Sequence, residues 1–229
     1  MKMLLQKTKT TNRKFYGKWL YKASFRLEGC ALFRTKALDE VTAFCNGPGP
    51  EERHPWSVWA KAYNNRETML ELSEFLGNYS KDSYSLRIET ALLDIYTNEK
   101  DLYDSASTKF SNILRHRFEP SAANIDLLQE NKNYITVDKL PKGRYNYRVY
   151  LLPHKMKGDK EGKQKYLDWL KRQTPKVTCT PAVETWFLNT DWNWDRRYVL
   201  VEDEATLLML KLRNSEVVGR IYNFVISDK

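Results

Sequence analysis

Alternation and helical spacing divide the chain into a succession of short elements. Met3 to Leu5 reads as a brief strand, and Phe15 to Leu27, rich in Tyr, Trp and Phe, as a longer one beyond the basic turn Lys7 to Lys14. Thr35 is placed to cap a helix whose Leu38, Val41, Phe44 and Cys45 share one face, and Gly47 ends it. The breaker Gly47-Pro48-Gly49-Pro50 separates this helix from a second one after Asn64. There Glu67 completes a capping-box pattern, and Met69, Leu70, Leu72 and Leu76 form the apolar stripe. Tyr84 to Glu89 and Leu92 to Thr97 predict two strands with a tight connection, and Asn98 is placed to cap a helix carrying Leu102, Ala106, Phe110, Ile113 and Leu114. The stretch from Arg115 to Asn133 is polar, contains Pro120, and reads as the linker region, with a short helix around Ile125 to Leu128.

The second half repeats this plan. Tyr134 to Leu140 and Arg144 to Leu152 predict a hairpin around Pro141-Lys142-Gly143. A helix follows from Lys160 to Gln173, with Tyr166, Leu167, Trp169 and Leu170 inward. Then come a strand through Val183 to Leu188, a strand from Arg196 to Glu202, a helix capped by Asp203, and a last strand from Val218 to Ile226. This is the β-α-β-β-α-β order of ferredoxin-like folds. The expectation is therefore an α+β protein of two ferredoxin-like units in tandem: residues 1–118, a linker at 119–133, and residues 134–229. Whether the two halves share one core stays open, as does a single mixed α+β domain.

A chain of 229 residues with 41% hydrophobic and 13% aromatic content has ample material for a packed core. The formal charge of +9 favours a polyanionic partner. Nucleic acid fits better than a membrane surface, since no basic amphipathic helix with a bulky apolar face stands out. Cys30, Cys45 and Cys179 show no metal-ligand spacing and read as reduced thiols in a cytoplasmic setting. No apolar run approaches the roughly 20 residues of a membrane-spanning helix, and the N-terminus lacks a signal peptide's apolar region. The expected location is the compartment of synthesis, or a particle assembled there.

The passage Arg197-Tyr198-Val199-Leu200-Val201-Glu202-Asp203-Glu204-Ala205 resembles the third strand and following helix of an RNA recognition motif, and Tyr150-Leu151-Leu152-Pro153 resembles its first-strand motif. The resemblance covers about 80 residues and implies a ferredoxin-like sheet that binds single-stranded RNA. The tandem order is also similar to that of repeat-processing endoribonucleases of CRISPR systems, whose glycine-rich C-terminal loop does not occur here. Asn193-Trp194-Asp195-Arg196-Arg197-Tyr198 resembles passages of uncharacterised phage and viral proteins. That implies a viral origin, in host cytoplasm or virion, and no activity.

Strand alternation puts a guanidinium and a phenol on one face in three places: Arg148/Tyr150, Arg196/Tyr198 and Arg220/Tyr222. On neighbouring strands these make a surface where rings stack bases and arginines hold phosphates. Arg144 and Lys155, with Lys139, Lys142, Lys157, Lys160, Lys163 and Lys165, supply basic flanks able to follow a phosphate backbone. The same pairs could instead serve the sheet itself, by stacking across strands. Trp192 and Trp194 in a polar loop mark a partner contact or a plug at a core edge. Asp191, Asn193, Asp195 and Glu202 match the ligand spacing of a calcium loop, but Arg196 stands where that loop needs glycine, so no metal is assigned. Among His54, His116 and His154, only His154 lies where it could serve as a general acid or base. Phosphate-binding glycine loops do not occur, and no cofactor is implied.

The expected function is single-stranded RNA or DNA binding without catalysis. Two readings from other classes stay open. One is an assembly protein acting as a homo-oligomer through the Trp192/Trp194 loop and its sheet faces. The other is a metal-independent endoribonuclease using His154.

Overall fold

The computed structural model describes residues 8–48, 57–152, 155, 160–189 and 197–227. The chain divides into two compact units, residues 1–125 and 126–229. Each holds one five-stranded mixed sheet with helices, so the fold is α+β.

The first unit runs β1 (Thr8–Thr11), β2 (Tyr21–Arg26), α1 (Leu32–Thr35), α2 (Leu38–Asn46), α3 (Val58–Asn64), α4 (Arg66–Gly77), β3 (Tyr84–Glu89), β4 (Leu92–Thr97), α5 (Lys100–Lys109) and β5 (Leu114–Pro120). Its strand order is β1-β5-β2-β4-β3. β1 lies parallel to β5, and the other neighbours are antiparallel. Alternation along β2 and β4 sends Tyr21, Ala23, Phe25, Leu93 and Ile95 to one face, all buried, where α5 packs. Phe25 and Phe75 both meet the Phe110 ring edge-on, and Tyr21 stacks on Tyr103 at 5.1 Å.

The second unit begins with α6 (Ile125–Glu130) at the boundary, then β6 (Tyr134–Val137), β7 (Tyr147–Leu151), α7 (Lys160–Arg172), β8 (Val177–Thr178), α8 (Pro181–Asn189), β9 (Tyr198–Val201), α9 (Glu204–Asn214) and β10 (Val218–Ile226). Its order, β6-β10-β7-β9-β8, is the order of the first sheet counted from its own first strand. The parallel edge pair recurs between β6 and β10, with antiparallel pairing elsewhere. Val149, Leu151, Val199 and Val201 pack with Tyr166, Leu167 and Leu170 of α7, Val183, Trp186 and Phe187 of α8, and Leu207 and Leu210 of α9. That core lies on one side of the sheet.

Several sequence expectations change. β6 and β7 are not a hairpin, because β10 inserts between them and pairs with both. Residues 183–188 are helical: Thr180 Oγ1 accepts from the Val183 amide at 3.2 Å, and Pro181 supplies a first-turn residue with no amide to satisfy. Val183, Trp186 and Phe187 then fall on one buried face at helical spacing. The strand that precedes β9 in the sheet is instead the two-residue β8 at Val177–Thr178, ahead of this helix. Phe15 to Trp19 forms a tight turn closed by a bridge between those two residues, with Tyr16 at φ 54° and Gly17 at φ 70°, so the strand starts only at Tyr21. Asn98 does not cap α5; its side chain accepts from the Leu20 amide at 3.0 Å. Ala37 rather than Thr35 starts α2, and the Glu40 carboxylate accepts from its amide at 2.9 Å. Residues 119–133 carry the end of β5, a 3-10 turn at Ala122–Asn124 and α6. The expected strand at Met3 to Leu5 lies outside the described residues. Among the described residues, no helix is long and apolar enough to cross a membrane.

Candidate nucleic-acid interface

The face of the second sheet turned away from its helices carries Arg148, Tyr150, Tyr198, Arg220 and Tyr222. β7 and β9 pair so that Tyr150 stands opposite Tyr198 and Arg148 opposite Leu200, while β10 places Tyr222 opposite Arg148. The Tyr150 ring lies 5.7 Å from Tyr198 and 5.9 Å from Tyr222. The Arg148 guanidinium sits 4.4 Å over the Tyr198 ring and 5.4 Å from Phe224, and its buried Nε has no hydrogen-bond partner. Arg220 donates to the Tyr222 hydroxyl at 2.9 Å. A small apolar cluster of Ile135, Tyr222 and Phe224 underlies the patch, with Val137, Leu140, Tyr150 and Leu200 packed against it.

Burial separates roles within this patch. Tyr150, Tyr198 and Arg148 are half-buried and Arg220 is exposed. Tyr222 is only 3% exposed, so it holds the edge of Tyr150 and cannot itself receive a base. Arg144 lies apart, at the end of a turn, in an ion pair with Glu202 at 2.5 Å. Lys155 is exposed just beyond β7, its amide donating to the Leu152 carbonyl. Arg196, Trp192, Trp194 and His154 lie outside the described residues, as do Asp191, Asp195 and His54. Arg197 sits 5.0 Å from the Trp186 ring, on a core residue of the helical side.

The first sheet has a comparable face that the sequence reading passed over. Lys22 and Tyr96 are register partners on β2 and β4, as are Ser24 and Asp94. Asp94 is buried yet satisfied: Lys22 Nζ lies at 2.7 Å, and the Ser24 and Tyr96 hydroxyls donate to its two oxygens at 2.5 and 3.1 Å. Burial raises the Tyr96 phenol above its usual range, and neighbouring Tyr16 and Asp94 push it the same way. Phe118 and Phe15 complete the surface, with Lys9 5.4 Å from the Phe118 ring. Alternation alone, Lys22-x-Ser24 against Asp94-x-Tyr96, carried the signal.

Among the described residues, no three His, Cys, Asp or Glu side chains gather to hold a metal. Burial pushes the Cys30 and Cys179 thiols up to about 11, so both stay protonated at neutral pH and are poor nucleophiles. The patch on the second sheet can stack planar groups and attract anions. Among the described residues of the patch, no acid, base and nucleophile are brought together. Compared with known protein families, with curated proteins and with solved structures, the chain finds no significant match.

Proposed function

We propose that the chain is a non-catalytic binder of single-stranded nucleic acid, and that the helix-free face of its second sheet is the contact surface. The observation that carries this reading is the register pair Tyr150–Tyr198, set on two inner strands with Arg148 stacked beside it and Arg220 exposed at one side. Aromatic rings on inner strands offer stacking faces to unpaired bases, while the guanidinium groups meet phosphates. The fold supports the same reading at a finer level. In each unit, setting the first strand aside leaves four strands in the order fourth, first, third, second, which is the strand order of ferredoxin-like sheets; the first unit also runs β-α-β-β-α-β, whereas in the second α8 intervenes between β8 and β9. β9 then corresponds to the third strand that residues 197–205 resemble, and α9 follows it from an Asp203 cap.

The test is fluorescence anisotropy of labelled single-stranded RNA, single-stranded DNA and duplex at low and near-physiological salt. Single strands bind in preference to duplex, and Tyr150→Ala and Tyr198→Ala each cost about 1–3 kcal/mol of affinity. Equal affinity for duplex, or binding untouched by both substitutions, defeats the proposal.

One observation favours an assembly role as a second reading. Leu208 and Leu212, one turn apart on α9, are 54% and 79% exposed. Light scattering that reports a dimer, abolished by Leu208→Lys with Leu212→Lys, supports it. A monomer across the accessible concentration range rejects it.

A further inference from the structure

At one end of the first sheet, a cleft of about 850 Å³ gathers Arg26, Arg34, Lys61 and Arg115 against one carboxylate, Glu28. Its construction follows from backbone constraints. Gly29 adopts φ +83° and lies so close to α3 that a Cβ there would stand 2.3 Å from the Ala62 amide nitrogen. That approach docks α3 beside the sheet end and brings Lys61 and Val58 to the wall facing the β3–β4 turn. The turn is held in place by Cys30, whose thiol lies 3.7 Å from the Thr90 carbonyl, and by the Leu27 amide, which donates to the Ala91 carbonyl at 2.9 Å.

The cations are only partly neutralised. Glu28 lies 3.3 Å from Lys61 and 4.0 Å from Arg26. Arg34 donates one nitrogen to the Ile88 carbonyl, which leaves other donors of its guanidinium for a ligand. Arg115 is exposed and, among the described residues, its side chain makes no hydrogen bond or ion pair. Like charges drawn together in a cleft repel one another in the empty state and concentrate the field on an anion. The remaining wall is apolar, with Val58 41% and Leu92 39% exposed, and His116 adds an imidazole. The volume suits a ligand of nucleotide size.

We infer that this cleft binds a nucleoside phosphomonoester, with Arg34, Lys61 and Arg115 holding the phosphate and Val58 and Leu92 meeting the base or sugar. The shared chemistry has two sources, a free mononucleotide or the phosphorylated end of a strand. The site is independent of the second sheet, so either proposal can fail alone.

The test uses the full chain and takes adenosine 5′-monophosphate and inorganic phosphate by calorimetry, and a 5′-phosphorylated oligonucleotide against its 5′-hydroxyl twin by anisotropy. Saturable binding of the mononucleotide, competed by phosphate, identifies a free-nucleotide site. A preference for the phosphorylated end identifies a strand-end site. In both cases Arg115→Ala weakens the phosphate-dependent component roughly tenfold or more, Lys61→Ala with Arg115→Ala abolishes it, and Tyr150→Ala leaves it unchanged. The inference is overturned if neither arm shows phosphate-dependent binding, or if the two cleft substitutions leave that binding intact.

Discussion

Tyr222 and Tyr150 share a face and differ in what their removal does. Tyr222 is buried against Ile135 and Phe224, and its hydroxyl accepts from Arg220. Tyr222→Ala therefore empties a core position and lowers stability by about 3–5 kcal/mol, as large-to-small aromatic changes do. Tyr222→Phe keeps the ring and removes one half-exposed hydrogen bond, so its thermal midpoint stays near that of the unchanged protein. Tyr150→Ala weakens single-strand binding while the fold survives. Chemical denaturation alongside anisotropy separates these outcomes, and a stable Tyr222→Ala would show the packing account to be wrong. This distinction was not legible in the sequence. Strand alternation put Arg148 with Tyr150 and Arg220 with Tyr222 on one face, but only register revealed that Tyr222 faces Arg148 rather than solvent. Alternation is local, whereas burial depends on which strands become neighbours.

At the scale of elements, capping decides more than propensity. α9 starts at Asp203, whose side chain accepts from the Thr206 amide at 2.7 Å. That hydrogen bond, helped by Lys176, holds the Asp203 carboxyl below the ordinary aspartate value. A carboxyl depressed in the folded state adds stability above the unfolded value of about 4 and loses it as pH falls through the folded value. Asp203→Asn keeps an accepting oxygen and should remove this acid-side loss, whereas Asp203→Ala costs about 1 kcal/mol at neutral pH. Melting curves at pH 7 and pH 3 read both effects, and the gap between Asp203 and Asp203→Ala narrows at the lower pH. This cap was legible from the sequence, as were the bounds of β3, β4 and β10, because alternation was clean and turn residues flanked it. α8 was not. Val183, Trp186 and Phe187 are large apolar residues that suit a strand equally well, and the Thr180-Pro181 start signal decides for helix. Thr180→Ala accordingly lowers stability by about 1 kcal/mol, measured by denaturant unfolding.

For the whole molecule, the question is whether binding is local to one face or a diffuse effect of charge. The +9 charge is shared almost evenly between the two units, so a strand held only by the general field would engage cations from both. Its affinity would fall steeply with salt and respond little to any one tyrosine. A strand seated on the second sheet meets Arg148, Arg220 and Lys155, which corresponds to a slope of about −2 in log affinity against log salt. On that basis Arg220→Ala flattens the slope by about 0.7, while Tyr150→Ala lowers affinity at every salt concentration and leaves the slope alone. The two substitutions therefore act on different coordinates of the same plot. The repeated strand order sharpens the comparison, since the first sheet offers Lys9, Lys22, Tyr96 and Phe118 on its own helix-free face. There Lys22 is already committed to Asp94, so Lys22→Ala exposes a buried carboxylate and costs stability rather than binding. A Lys22→Ala protein that melts earlier yet binds single strands with unchanged slope assigns recognition to the second sheet. A slope that falls with Lys22→Ala as it does with Arg220→Ala assigns it to both.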